Sequence, residues 1–312
     1  MNHTFISDFQ KGQEIDDYYA VAKKLKKSTK AGSFFISLIL SDRTGRVDAI
    51  VWNTTLAKFG EDYNENQVVR VCGRVDEYDG KIQIVVEKIG IGDPTKYESS
   101  WFLPQSPIPV EDIMRQINAM VASVGDEKLK QMAVSFLGDE NLSQSFRVAP
   151  GAVYLHHAYL GGLAAHTLAV MKFCDSLCQL YPLNRDLLIV AALFHDVGKM
   201  VENTWELIFK RTIEGELVGH LIISRDILRE FTKSTGIAPE VALHLEHCIL
   251  SHHGQYLYGS PKLPMTREAF ALHVADLADS RFEEFERELK NIAQGESTEP
   301  IRYLDNIKLF NL

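Results

Sequence analysis

The 312-residue sequence has few cysteines, no long apolar run and no excess of positive charge, and each shortage closes off a class of protein. Its four cysteines, Cys72, Cys174, Cys178 and Cys248, contain no CxxC pair. This argues against a zinc finger or a disulfide framework and leaves reduced, mostly buried thiols. The longest uninterrupted apolar stretch, Leu187 to Phe194, has eight residues, far below the roughly 18 or more that a membrane-spanning helix needs. The start, Met1-Asn2-His3-Thr4-Phe5, lacks the basic segment and apolar stretch of a secretory leader, so a cytoplasmic location is expected. Neither a fixed-period repeat nor a low-complexity tract is present, which removes solenoids and disordered tails.

The formal charge of −9 speaks against a nucleic-acid partner, because phosphate binding relies on Lys and Arg. Its distribution weakens that objection. Residues 1–98 carry 14 Lys+Arg against 15 Asp+Glu, and the remainder carries 19 against 27, so the acidic excess belongs to the second part. Divalent cations would reverse the local sign wherever they bound.

At this length two domains are expected. Five β-rich runs, Tyr18–Leu25, Ser33–Leu40, Val47–Trp52, Gln67–Val75 and Lys81–Ile89, alternate with turn residues at Ser41–Gly45 and Asp76–Gly80. Thr55–Tyr63 reads as a short helix after the third strand, which is the strand order of an OB-fold. Pro94, Pro104, Pro107 and Pro109 then break regular structure and mark a linker. From Glu111 to Leu137 the apolar residues recur at helical spacing, and helical patterns continue almost to the end. The expectation is an α+β multidomain chain: a five-stranded barrel at 1–93, a linker at 94–110 and an all-α domain at 111–312. On the barrel, Phe35, Trp52 and Tyr78 could stack on bases. Lys24, Lys26, Lys27, Lys30, Arg43, Arg46 and Arg74 could meet phosphates; for each aromatic the competing reading is ordinary core.

Nine of the eleven histidines fall between His156 and His253. His166 shares a helical face with Leu163, Val170 and Phe173 and so points to the core, where a lone histidine most often just pairs with a neighbour. Ala192-Leu193-Phe194-His195-Asp196-Val197-Gly198-Lys199 is different, because an apolar run ends in adjacent histidine and aspartate. A buried carboxylate needs a cation or a strong ion pair, and the same holds for Asp276 among Val274, Ala275, Leu277 and Ala278.

These residues resemble the HD phosphohydrolase superfamily, whose pattern is a histidine, an adjacent His-Asp pair and a distant aspartate around one divalent ion. His166, His195-Asp196 and Asp276 fit that order. In the binuclear members further histidines fall between the pair and the last aspartate, where this chain has His220 and His252-His253. The resemblance implies that His166, His195, Asp196 and Asp276 hold one ion and that Asp196 bridges to a second held by His220, His252 and His253. Mixed imidazole and carboxylate ligands suit Mn²⁺ first, with Fe, Co, Ni or Zn as alternatives. Two such ions would clamp a phosphodiester and acidify a water. Lys199 would neutralise the developing phosphorane charge, or else act as an ordinary cation at a helix end. His156 and His157 would contact substrate or support the ligands from behind. Gly161-Gly162 would admit a close backbone or ligand, or kink a helix.

The barrel-plus-HD arrangement, with Leu155-His156-His157-Ala158-Tyr159-Leu160-Gly161-Gly162, Phe194–Lys199 and His252-His253-Gly254, is similar to the YhaM-type 3′→5′ exoribonucleases of low-GC Gram-positive bacteria. One departure is Ala165, where relatives usually carry an acidic residue before the histidine. That resemblance implies Mn²⁺-dependent release of nucleoside 5′-monophosphates from the 3′ end of single-stranded RNA, and of single-stranded DNA as a lesser substrate. The barrel would feed the strand, and Arg281–Leu312 would serve as a contact between copies in a homo-oligomer. Two other readings are a phosphohydrolase of a small nucleotide or cyclic dinucleotide, and a non-catalytic DNA-binding factor.

Overall fold

The computed structural model describes residues 3–29, 32–153, 157–290 and 292–312, and the chain divides into two compact units. The first comprises residues up to Gln105 together with Trp205–Lys210, and the second comprises Ser106–Thr204 and Arg211–Leu312.

In the first unit, β1 (Glu14–Ser28), β2 (Phe34–Asp42), β3 (Gly45–Trp52), α1 (Asn53–Phe59), β4 (Val68–Tyr78) and β5 (Lys81–Ile91) form a closed barrel in the order β1-β2-β3-β5-β4. All pairs are antiparallel except β3 with β5. Strict alternation on β2 and β3 sends Ile36, Leu38, Leu40, Val47, Ala49 and Val51 inward, where they meet Tyr19, Val69, Val71, Val75 and Ile84 in one core. This is the OB-fold expected from the strand order. The strands extend several residues beyond the apolar runs, because ladder pairing satisfies backbone groups whatever the side chain. Tyr78, expected in a turn, ends β4 opposite Lys81. The helix expected to reach Tyr63 stops at Phe59, where Gly60 takes a positive φ and closes it. A second small core joins Ala20, Val68, Trp101, Phe102 and Ile208.

The second unit is helical apart from very short strand segments. Its elements are α2 (Val110–Ala122), α3 (Glu127–Gly138), α4 (Glu140–Val148), α5 (Gly162–Leu180), α6 (Arg185–Phe194), α7 (Lys199–Glu202), α8 (Ile213–Leu217), α9 (His220–Thr235), α10 (Pro239–Ser251) and α11 (Arg267–Leu289). The periodic stretch expected from Glu111 to Leu137 is two helices, because the Asp126 side chain accepts from the amides of Lys128 and Leu129 and starts α3 afresh. α6 is buried from Leu187 to Phe194 and forms the central rod, which explains its apolar run without a membrane. No described helix is long and apolar enough to cross one.

Candidate metal centre and nucleic-acid face

The chemical residues of the helical unit cluster at helix ends. His195 and Asp196 follow the last turn of α6, His220 opens α9, and His252 and His253 follow α10, while His166 and Asp276 project from α5 and α11. Gly198 lets the chain turn tightly after the pair: its amide donates to Ser224 Oγ at 2.8 Å, and a Cβ there would lie 2.4 Å from the His220 carbonyl oxygen.

The seven groups converge in two sets. The ligand atoms of His166, His195, Asp196 and Asp276 all lie within 4.8 Å of one another, as do those of His220, His252 and His253. Asp196 stands between the sets. Its Oδ2 is 3.5 Å from His166 Nε2, 3.4 Å from His195 Nε2 and 2.6 Å from Lys199 Nζ, whereas Oδ1 is 3.4 Å from Nε2 of both His220 and His252. Buried Oδ1 has no hydrogen-bond partner among the described residues.

The Nδ1 partners fix the tautomers. Those of His195, His252 and His253 face the carbonyl oxygens of Ala192, Ile249 and Tyr258 at 2.7, 2.8 and 2.8 Å, and those of His166 and His220 face carboxylate oxygens of Asp279 and Glu202 at 2.6 and 3.0 Å. Such oxygens only accept, so each Nδ1 carries the hydrogen and each neutral ring turns a bare Nε2 lone pair inward. His166 Nε2 lies 3.1 Å from that of His195, and His220 Nε2 lies 3.1 Å from that of His253. Lone pairs at that separation repel unless a cation or added protons sit between them, so the donor set fits divalent metal.

The electrostatics agree. Burial lowers His195, and burial together with His252 and His220 lowers His253 to about 3, so both rings are neutral. Burial also opposes charge on His166 and His252, but Asp196, together with Asp276 and Asp279 at His166, outweighs it and raises both. Burial pushes Asp196 upward, yet Lys199 and His195 overcome it and hold the carboxyl well below its usual range.

On the barrel, ladder register places Lys27 opposite Phe35 and Phe35 opposite Trp52, on the outward side of three adjacent strands. The Phe35 and Trp52 rings have centroids 5.3 Å apart, and Trp52 is 42% exposed. Ile39, Ile50 and Val85 lie half-buried on the same outward side. A flat, partly apolar surface edged by lysine suits stacked bases.

A model of the HD domain matches residues 163–280, and a model described as an OB-fold nucleic acid binding domain matches residues 19–91. The chain is 32% identical to the protein named 3′-5′ exoribonuclease YhaM of Geobacillus sp. (strain WCH70), over 96% of this chain and 93% of that one. It is 31% identical to the protein of the same name from Halalkalibacterium halodurans, over 96% and 93%, and 31% identical to that of Bacillus pumilus, over 96% of each chain. The chain belongs to the YhaM family.

Within this family framework, the sequence-derived residues fall into three groups. His166, His195, Asp196, His220, His252, His253, Asp276 and Lys199 come together in the helical unit, and Lys27, Phe35 and Trp52 come together on the barrel. Arg46 stands exposed opposite Ser41, six residues along β3 from Trp52, and so lies apart from that row. Lys24 is tied to the carbonyls of Glu61 and Tyr63, and Lys26 to the Glu61 carboxylate, which engages both within the barrel. His156 and Lys30 lie outside the described residues. His157 is buried with Nδ1 2.8 Å from Tyr159 Oη and Nε2 2.8 Å from Asp279 Oδ2. Gly162 explains its place: a Cβ there would lie 2.0 Å from the His157 carbonyl oxygen, so the glycine admits a backbone. Asp279 and Glu202 were not singled out from the sequence. Each follows a chosen residue by three positions, Asp276 and Lys199, which on a helix places it on the same side.

Proposed function

We propose that this chain is a cytoplasmic 3′→5′ exoribonuclease that shortens single-stranded RNA, and single-stranded DNA less readily, using two Mn²⁺ ions. The observation that carries this reading is the pair of inward-facing imidazole sets sharing Asp196, whose two oxygens each address one set. His166, His195, Asp196 and Asp276 would hold one ion, and His220, His252 and His253, with Asp196, the other. When bound, the ions supply Lewis acidity for the phosphodiester and lower the pKa of a water.

In each cycle water oxygen adds to the terminal phosphorus and the P–O3′ bond breaks. The shortened strand keeps a 3′-hydroxyl and the last nucleotide leaves as its 5′-monophosphate. Lys199 Nζ, 2.6 Å from Asp196 Oδ2, holds the shared carboxylate ionised and adds positive charge where the phosphorane becomes more negative. Lys27, Phe35 and Trp52 hold the strand, while His157 acts from behind His166 through Asp279. The apolar stripe of α11, with Phe270 and Phe282 exposed, supports self-association of the chain.

A 5′-labelled RNA oligonucleotide incubated with pure protein and Mn²⁺ should give a descending ladder and free 5′-monophosphates. An intact strand, or cleavage confined to small nucleotides and cyclic dinucleotides, would replace this reading with that of a small-molecule phosphohydrolase.

A further inference from the structure

Five imidazoles face the two metal sets, but their supports differ. His195, His252 and His253 lean on backbone carbonyls, whereas His166 and His220 lean on carboxylates, one in each set. Asp279 Oδ2 meets His166 Nδ1 at 2.6 Å and His157 Nε2 at 2.8 Å. Glu202 Oε1 accepts from the His220 backbone amide at 3.2 Å and lies 3.0 Å from His220 Nδ1. Both residues are buried, with the Asp279 side chain 12% and the Glu202 side chain 8% exposed. Their remaining neighbours fix them: the His157 turn stands behind Asp279, and α7, which also carries Lys199, presents Glu202.

We propose that Asp279 and Glu202 are positioning residues, each setting the metal affinity of one half of the centre through its ligand imidazole, so that the halves can be weakened separately. The proposal rests on the two-ion reading above. A carboxylate behind a ring fixes its tautomer and rotation and makes Nε2 a stronger donor, whereas a carbonyl supplies orientation with less charge. Asp279 therefore governs the half containing His195 and Asp276, and Glu202 governs the half containing His252 and His253.

The test is calorimetric titration of the metal-stripped, full-length chain with Mn²⁺, which reads binding without activity. Wild type should take up two ions. Asp279→Asn and Glu202→Gln, which keep side-chain shape, should each weaken one of the two events by roughly 10- to 100-fold and leave the other unchanged. In a His253→Ala background, where the first half remains intact, Asp279→Asn should still weaken uptake and Glu202→Gln should not. If either variant fails to fold by circular dichroism, Asp279→Glu and Glu202→Asp keep the charge, change the reach and should weaken the same half by a smaller factor. Variants that titrate like a two-ion wild type overturn this inference alone, and equal weakening of both events by each variant overturns the separate assignment. A wild-type chain that takes up no Mn²⁺ removes the two-ion reading together with it.

Discussion

Among the described residues, histidine and aspartate cluster both in the barrel and in the helical unit, and the two clusters are built to opposite ends. In the barrel, His3 lies between Asp17 at 3.1 Å and Asp42 at 3.5 Å, with its ring stacked on Trp101. Burial lowers its pKa, but the two carboxylates outweigh that and raise it to about 9, so one imidazolium is matched from both sides. Asp17 and Asp42 also accept the backbone amides of Thr4 and Ile6, which pins the N-terminal segment to the barrel. In the helical unit the Nδ1 donors of five rings are used up on oxygens, while the Nε2 atoms of His166 and His195, and of His220 and His253, face each other. The same residue types thus make an ion-paired structural joint in one place and a set of converging metal-ligand atoms in the other. What separates them is what each ring faces: carboxylates on both sides at His3, and other imidazole nitrogens in the helical unit.

If this contrast is right, the largest effect should come from Asp196→Asn, which leaves the shape but removes the charge shared by both sets. RNA shortening should fall on the order of 10³-fold or more. Turnover within a few-fold of wild type would erase the distinction. Next, His3→Ala should lower the unfolding free energy by roughly 3 kcal/mol, because two buried carboxylates lose their partner. Urea titration would read that loss, while cleavage of a dinucleotide by the folded fraction should be unchanged. Trp52→Ala should weaken RNA binding by about 1 to 3 kcal/mol, measured by fluorescence anisotropy, and should leave stability nearly untouched. A further effect follows from pH. His3 is raised on folding from 6.5 to about 9, so its contribution is fully present below pH 6.5 and is lost as pH rises through about 9. The urea midpoint should therefore fall across that interval in wild type and fall less in His3→Ala.

Much of this architecture was legible in the residues. Alternation along β2 and β3 identified the barrel wall, and the polar break after Phe194 identified His195 and Asp196, because an apolar run rarely ends on buried charge without a reason. Other features were hidden for physical reasons. His3 stood alone near the start of the chain, and its partners Asp17 and Asp42 lie 14 and 39 positions onward, joined to it only by strand pairing. Asp279 and Glu202 looked like two more solvated helix carboxylates among 42 acidic residues, and burial is what separates them from the rest. His157 could be read as a substrate contact or as support for the ligands, and its approach to Asp279, 122 positions onward, is visible only in the fold. The lysines Lys24 and Lys26 suggested a phosphate track, but a neighbouring acidic loop engages them.

The approach of His220 to Asp196 depends on the absence of one carbon. With Gly198 packed against the first turn of α9, a methyl group would press on the His220 carbonyl and on Ser224 and drive that helix outward. His220 would travel with it while His195 and Asp196, just past the end of α6, stayed in place, so widening the chain at this single position would draw His220 away from Asp196. Position 198 is thus a spacer whose thickness sets how closely His220 approaches the shared carboxylate, without altering any atom of either.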